Sequence, residues 1–203
     1  MIAALFVARG GAYYGIPDVD PWDEARDARL YAGPHPVVAH PPCSTWCKLA
    51  PVNEARYGHP VGDDGGCFAS ALASVRRWGG VLEHPALSMA WRRFDLPRPT
   101  PGGGWSRSLL DGGWVCEVLQ RAYGHPAAKL TWLYVVGACP PELDWSRPAP
   151  IATVSWLENS PGRRYDINPS LPRLSKRKAK ATPPAFRDVL LSIARSARKS
   201  EAA

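Results

Sequence analysis

No stretch of this sequence approaches the roughly 20 consecutive apolar residues that a helix needs to cross a bilayer. A membrane-spanning helix is therefore not expected. The apolar start, Met1-Ile2-Ala3-Ala4-Leu5-Phe6-Val7, is too short for the core of a secretory signal, and no basic residue precedes it. It is expected to form a buried first strand. No internal repeat is visible. The cysteines number five, an odd count scattered along the chain, so a disulfide framework is not expected. Reduced thiols in a cytoplasm are the expectation.

What is present fits a globular protein. The 203 residues suit one domain, or a domain with a tail, and an apolar fraction of 45% argues against disorder throughout. Nine tryptophans is a high count. Trp brings large apolar area and can stack on bases, although packing accounts for most such residues. The net charge of +7 is uneven. Residues 1–162 hold 14 Lys and Arg against 15 Asp and Glu, while residues 163–203 hold 11 against three. The densest cluster is Lys176-Arg177-Lys178-Ala179-Lys180. It could bind phosphates by counterion release, or simply be a solvated tail.

Abundant Pro and Gly predict short elements and many loops. Strands are expected over Ile2–Val7, Pro36–His40, Val81–Pro85 and Leu130–Val136. Helices are expected over Asp23–Leu30, Cys67–Trp78, Val115–Tyr123 and Pro183–Arg195, the last with Thr182 as N-cap. Pro97–Gly104 reads as a loop, and the region from Pro140 to Pro172 as irregular. Alternating strands and helices predict an α/β fold with a Rossmann-like, mostly parallel sheet, helices on both faces, and a basic C-terminal tail and helix. Such sheets bind ligands beyond the carboxyl ends of their strands.

Two chemically able residues fall at such ends. Cys43 follows Pro41-Pro42, which fix the backbone before it, so its thiol is placed as a nucleophile. Glu83 ends a second apolar run. Desolvation there would raise its pKa and make it a proton donor near neutral pH. The plain alternatives are a structural thiol and a capping carboxylate.

Several motifs in order resemble the DNA cytosine carbon-5 methyltransferases. Leu5-Phe6-Val7-Ala8-Arg9-Gly10-Gly11 looks like the Phe-x-Gly-x-Gly turn that holds S-adenosylmethionine, and Asp18-Val19-Asp20-Pro21-Trp22 resembles the acidic segment after it. Pro41-Pro42-Cys43 matches the nucleophile motif, and Leu82-Glu83-His84-Pro85 is similar to the Glu-Asn-Val motif. Tyr123 to Thr131 falls on the Tyr-Gly-x-Pro-Gln-x-Arg-x-Arg segment, and Trp132 to Gly137 on the strand after it. Thr182-Pro183-Pro184 sits where the family has its last motif. The chain also resembles short bacteriophage proteins sharing His-Pro-Pro-Cys, Gly-Gly-Val-Leu-Glu-His-Pro and Lys-x-Thr-Trp-Leu-Tyr segments.

The resemblance implies a methyltransferase-like core over 1–139, an irregular basic linker over 140–181, and a C-terminal helix over 182–203 packed back on the core. It implies S-adenosylmethionine as cofactor, held by Phe6, Gly10, Gly11, Asp20 and Pro41, and DNA as partner. Cys43 would attack carbon-6 of a flipped cytosine while Glu83 engages ring nitrogen-3. His40, Pro42, His84, Lys129 and Thr131 would contact the substrate, and Lys176, Arg177, Lys178 and Lys180 the nucleic acid. The chain departs from the pattern in three places. Ala8 and Arg9 fill the glycine turn, and Gly11 to Asp18 is too short for a cofactor-binding helix. Ala127, Lys129 and Thr131 replace the Gln and two Arg of the later motif, and Lys is no equivalent of Arg at a bidentate site. The stretch from Gly137 to Thr182 is too short for the usual target-recognition domain.

Two other readings compete. His40, Cys43, Cys47, His59 and Cys67 could make a zinc site, though only Cys43 and Cys47 have ligand-pair spacing. A zinc deaminase would need an upstream His-x-Glu, which is missing. A non-catalytic binder of nucleotides or DNA, using Trp46, the basic tail and the same cleft, is the other alternative.

Overall fold

The computed structural model describes residues 1–154 and 170–197. A seven-stranded sheet runs in the order β2-β1-β3-β4-β7-β6-β5. Its strands are β1 (Ile2–Leu5), β2 (Val19–Trp22), β3 (Val37–Ala39), β4 (Gly80–Pro85), β5 (Ser106–Arg107), β6 (Trp114–Leu119) and β7 (Leu130–Val136). The helices are α1 (Ala50–Tyr57), α2 (Cys67–Trp78), α3 (Met89–Arg93), α4 (Lys176–Lys180) and α5 (Pro184–Ser196). Two short parallel strands, β8 (Thr153–Val154) and β9 (Arg173–Leu174), pair apart from the main sheet.

The α/β class holds, but the sheet is mixed rather than mostly parallel. β2, β1, β3 and β4 pair in parallel, whereas β4–β7, β7–β6 and β6–β5 are antiparallel. The cause lies in the connections. Only β3 and β4 are joined through long helices, whereas β6 and β7 are joined by a short 3-10 turn at Gln120–Tyr123, which reverses direction. β7 thus enters beside β4 against the direction of β1 to β4.

Side chains alternate across the strands and bury both faces. Ala3, Leu5, Val37, Ala39 and Leu82 pack with Phe68, Ala71, Leu72 and Val75 of α2. Ile2, Ala4, Val38, Val81 and Leu133 pack with Phe186, Leu190, Leu191 and Ile193 of α5. Helices therefore cover both faces, and burial of these largely apolar stripes is the main drive for the fold.

Four local expectations are corrected. Val115–Tyr123 is not a helix but β6 followed by the 3-10 turn. Its strand buries Val115 in one core and Cys116 and Val118 in the other, so the run carries no period that separates strand from buried helix. Asp23–Leu30 forms only a 3-10 turn at Ala28–Leu30. The Asp23 carboxylate accepts from the backbone N–H of Ala25 and Arg26, and Asp27 from that of Arg29, so the acids fold this stretch into turns instead. The last helix starts at Pro184, with Pro183 rather than Thr182 at the cap. The described part of 140–181 holds β8, β9 and α4, so it is not wholly irregular.

Candidate active site

The chain leaves β1 for β2 on one flank, then returns to β3 on the other. The carboxyl ends of β1 and β3 therefore flank a point where the strand order reverses, and this is where open α/β sheets leave a crevice for ligand. The His40 N–H donates to the Leu5 carbonyl at 3.0 Å, which carries β3 one residue further. Pro41 and Pro42 lack N–H groups and end the ladder. The Cys43 carbonyl then accepts from the N–H groups of Trp46 and Cys47, so Cys43 opens a helical turn directly beyond the strand.

Strand alternation selects which side chains meet. His40 lies on the face of Val38 and Glu83 on that of Val81. Thr131 follows Leu133, and Gln120 continues from Val118. All point toward α5. The Glu83 carboxylate receives one bond from each side. His40 Nδ1 lies 2.9 Å from Oε2, and Gln120 Nε2 donates to Oε1 at 3.0 Å and to Thr131 Oγ1 at 2.8 Å. Tyr13 Oη stands 2.7 Å from His40 Nε2. An ionised carboxylate can only accept, so His40 Nδ1–H donates to Glu83, while Nε2 and the Tyr13 hydroxyl share the second bond.

This network sets the charge of the site. Burial pushes the Glu83 carboxyl up, but the His40 hydrogen bond and the Lys129 and His40 charges outweigh it and hold its pKa at about 2. Glu83 is thus an ionised acceptor at neutral pH, not the protonated donor expected from desolvation alone. Burial, then the Glu83 and Cys47 charges, push the Cys43 thiol up, while Lys180 and Lys129 pull it down. Cys43 therefore rests as a thiol.

Lys129 and Thr131 lie beside Glu83, Thr131 fully buried against Gln120. The Lys129 ammonium donates to the carbonyls of Lys180 and Ala181, at 3.4 Å each, and so ties the end of α4 beside Cys43 and Glu83. The Ser175 side chain caps α4, whose Lys176, Arg177, Lys178 and Lys180 are exposed. Pro42 is exposed beside the thiol, and Pro41 is buried beneath it.

His84 does not reach the site. It faces away from Glu83, fully buried between Phe68 at 5.1 Å and Trp91 at 6.3 Å between ring centroids. Neither ring nitrogen finds a hydrogen-bond partner among the described residues. Burial pushes its pKa down to about 4 against the pull of Glu83 and the Pro42 carbonyl, so it stays neutral.

The residues expected to hold S-adenosylmethionine do not fit it. Phe6 turns at φ 59°, and the chain then folds through tight turns, Gly11 N–H to Ala8 O and Tyr14 N–H to Gly11 O. A Cβ on Gly11 would meet the Ala8 carbonyl at 2.8 Å, so the turn is closed on itself. The same loop sends buried Tyr13 to His40 and Tyr14 to Asp23. Asp20 is bound by the Trp22 indole and Arg26, leaving it poorly placed for a ribose. Gly10, at φ 64°, and Phe6 shape this turn without leaving a cradle.

Tyr13 and Gln120 join the site without having been expected there. Gln120 was legible had β6 been read as a strand, because period two from Val118 puts it on the face of Glu83. Nothing in the sequence marks Tyr13. Among the described residues, no group of three or more His, Cys, Asp or Glu could hold a metal ion, and no helix is long and apolar enough to cross a membrane. A scan against protein-family models and a search of curated proteins return no match for this chain.

Proposed function

We propose that this chain binds a cytosine base of DNA in the crevice beyond β3 and β4 and adds Cys43 to its carbon-6, as a methyltransferase-like protein whose base-facing half is intact. The observation that carries this reading is the clamped, ionised Glu83 next to the Cys43 thiol. A carboxylate suits the cytosine N4 amino group, which donates. Both Glu83 oxygens retain accepting capacity after the bonds from His40 and Gln120. Lys129, Lys180 and the rest of α4 supply cations for the phosphates.

The resting charges suggest how addition proceeds. The thiol proton passes over the Glu83 carboxylate to ring nitrogen-3 while sulfur bonds to carbon-6. The carbon-5–carbon-6 π pair moves to the carbon-4–carbon-5 bond, and the carbon-4–nitrogen-3 pair stays on nitrogen-3 with the new proton. Carbon-5 is then electron-rich. It takes a proton from water, then gives its original hydrogen to water and so restores the same enamine with nitrogen-3 still protonated. The nitrogen-3 proton then returns over Glu83 to sulfur as the carbon-6–sulfur bond breaks and the ring double bonds are restored. No donor group is needed for this exchange. Five free thiols fit a reducing cytoplasm as the setting.

The test uses a single-stranded oligonucleotide carrying tritium at cytosine carbon-5, with no methyl donor. Wild type should release tritium to water. Cys43→Ser should stop it, and Glu83→Gln should slow it about 100-fold or more, the usual worth of a positioned proton-transfer group. If wild type releases nothing, and Cys43→Ser binds the oligonucleotide equally well, the protein is a non-catalytic binder. The poor fit of the cofactor side favours that second reading.

A further inference from the structure

One groove of the molecule takes no part in the network around Glu83. It is an open cleft of about 670 Å³ lined by Trp46, Val61, Gly62, Asp63, Met89, Arg92 and Arg93. Its floor belongs to the Cys43 turn. The Trp46 N–H donates to the Cys43 carbonyl, and the Trp46 carbonyl accepts from the N–H of Met89, which opens α3. The groove therefore lies one helical turn from the thiol and is tied to it through backbone.

Two cations stand at its rim. Arg92 and Arg93 are exposed in the last turn of α3, and neither forms an ion pair among the described residues. Asp63 shares the lining and partly offsets them. Its apolar lining is Val61, the Met89 thioether and the edge of a Trp46 that is otherwise buried. A Cβ on Gly62 would meet the Trp46 ring at 2.9 Å, so glycine here lets the far wall lie close against it. A partly apolar lining with two exposed arginines suits a base and its phosphate, since Arg forks match phosphate oxygens and Arg planes stack on bases. Its volume lies in the range of small-molecule sites.

We infer that this groove holds the nucleotide flanking the one presented to Cys43, with its phosphate between Arg92 and Arg93. The partner is then a single nucleic-acid strand running from α4 across Cys43 to α3. Enzymes that act on an extruded base set sequence context through such flanking contacts. This inference rests on the proposed base-directed function but is tested separately from it.

The experiment measures binding of a fluorescent single-stranded DNA oligonucleotide to the full chain by anisotropy over a range of salt. The double variant Arg92→Gln/Arg93→Gln should weaken binding about tenfold at low salt and reduce the log–log salt slope by about 0.7, the share of the one phosphate lost. A control, Arg107→Gln/Arg195→Gln, removes two charges at the far sheet edge and the opposite strand ends, and should leave the slope unchanged. The inference is overturned if the groove variant binds like wild type, or if both double variants lose the same slope, which would mean diffuse attraction. Tritium exchange at Cys43 reads the other claim. Loss of slope without exchange in wild type keeps the groove and removes the covalent step. Exchange with an unchanged slope does the reverse.

Discussion

The two sides of the switch point differ in what they do with their polar groups. On the β3–β4 side, Glu83, His40, Gln120 and Thr131 converge beneath Cys43, and an ionised carboxylate stands beside the thiol at the crevice. On the β1–β2 side, Asp20, Asp23 and both tyrosines of the turn are bound to one another or to neighbouring residues. One side is assembled toward a ligand and the other is closed on itself. A sheet can therefore keep the half of a site that faces one substrate while the half facing another is filled in. Tyr13 joins them, because it leaves the closed turn and ends on His40.

The largest expected effect comes from breaking the assembled side. His40→Leu leaves Glu83 buried with its chief hydrogen bond removed. Removing one member of a buried pair costs about 3–5 kcal/mol, so urea unfolding at pH 7 should show a loss of that order and tritium exchange should fall away. Glu83 also fixes a pH dependence. Its folded pKa of about 2 lies below its ordinary 4.5. The unfolded chain therefore takes up the proton first as pH falls, and roughly 3 kcal/mol of stability drains away between pH 4.5 and 2. Wild type should show this limb in acid titration and Glu83→Gln should lack it. A stability unchanged by His40→Leu would mean that Glu83 does not depend on the clamp.

His84 gives a second acid limb from outside the site. Its folded pKa of about 4 lies below 6.5, so between those values the unfolded chain binds a proton that the folded chain refuses. Stability falls through that window as pH falls. His84→Phe removes the titrating ring and keeps an aromatic between Phe68 and Trp91. It should gain about 2 kcal/mol over wild type at pH 5 compared with pH 7. It should leave tritium exchange unaltered. A strong loss of exchange with a normal fold would return His84 to the substrate side.

Much of this was legible in the sequence, and the physical reason for the rest is specific. α2 could be read because Phe68, Ala71, Leu72 and Val75 mark one face and Gly79-Gly80 stop the helix. β3, β4 and β7 could be read from short apolar runs between turn residues. β6 could not, because both of its faces are covered and Glu117, buried against the Trp132 indole, looks like a solvent-facing polar residue. That one error hid both the reversal of β7 and the place of Gln120. Cys43 was legible as a residue just beyond a strand, whereas Glu83, read as the end of its run, lies inside β4, which continues to Pro85. The charge of Glu83 was not, because it depends on His40, 43 residues earlier in the chain.

The smallest effect tests the closed side. Asp20 and Arg26 form an ion pair with side chains 30% and 45% exposed, and exposed pairs contribute about 1 kcal/mol or less. Asp20→Asn keeps the shape of the side chain and removes its charge, so unfolding in urea should shift by under about 1 kcal/mol. The same variant discriminates between the two ways of reading this side. If Asp20 held a ribose hydroxyl, calorimetry would show wild type binding S-adenosylmethionine and Asp20→Asn losing most of that affinity, because a buried acceptor lost from such a contact is expensive. If the turn is closed, neither protein gives heat with the cofactor and the variant differs only in the weak ion pair. Micromolar binding by wild type that falls about tenfold in Asp20→Asn would show that the turn opens for a ligand. The contrast between the two sides would then be one of resting state and not of capacity.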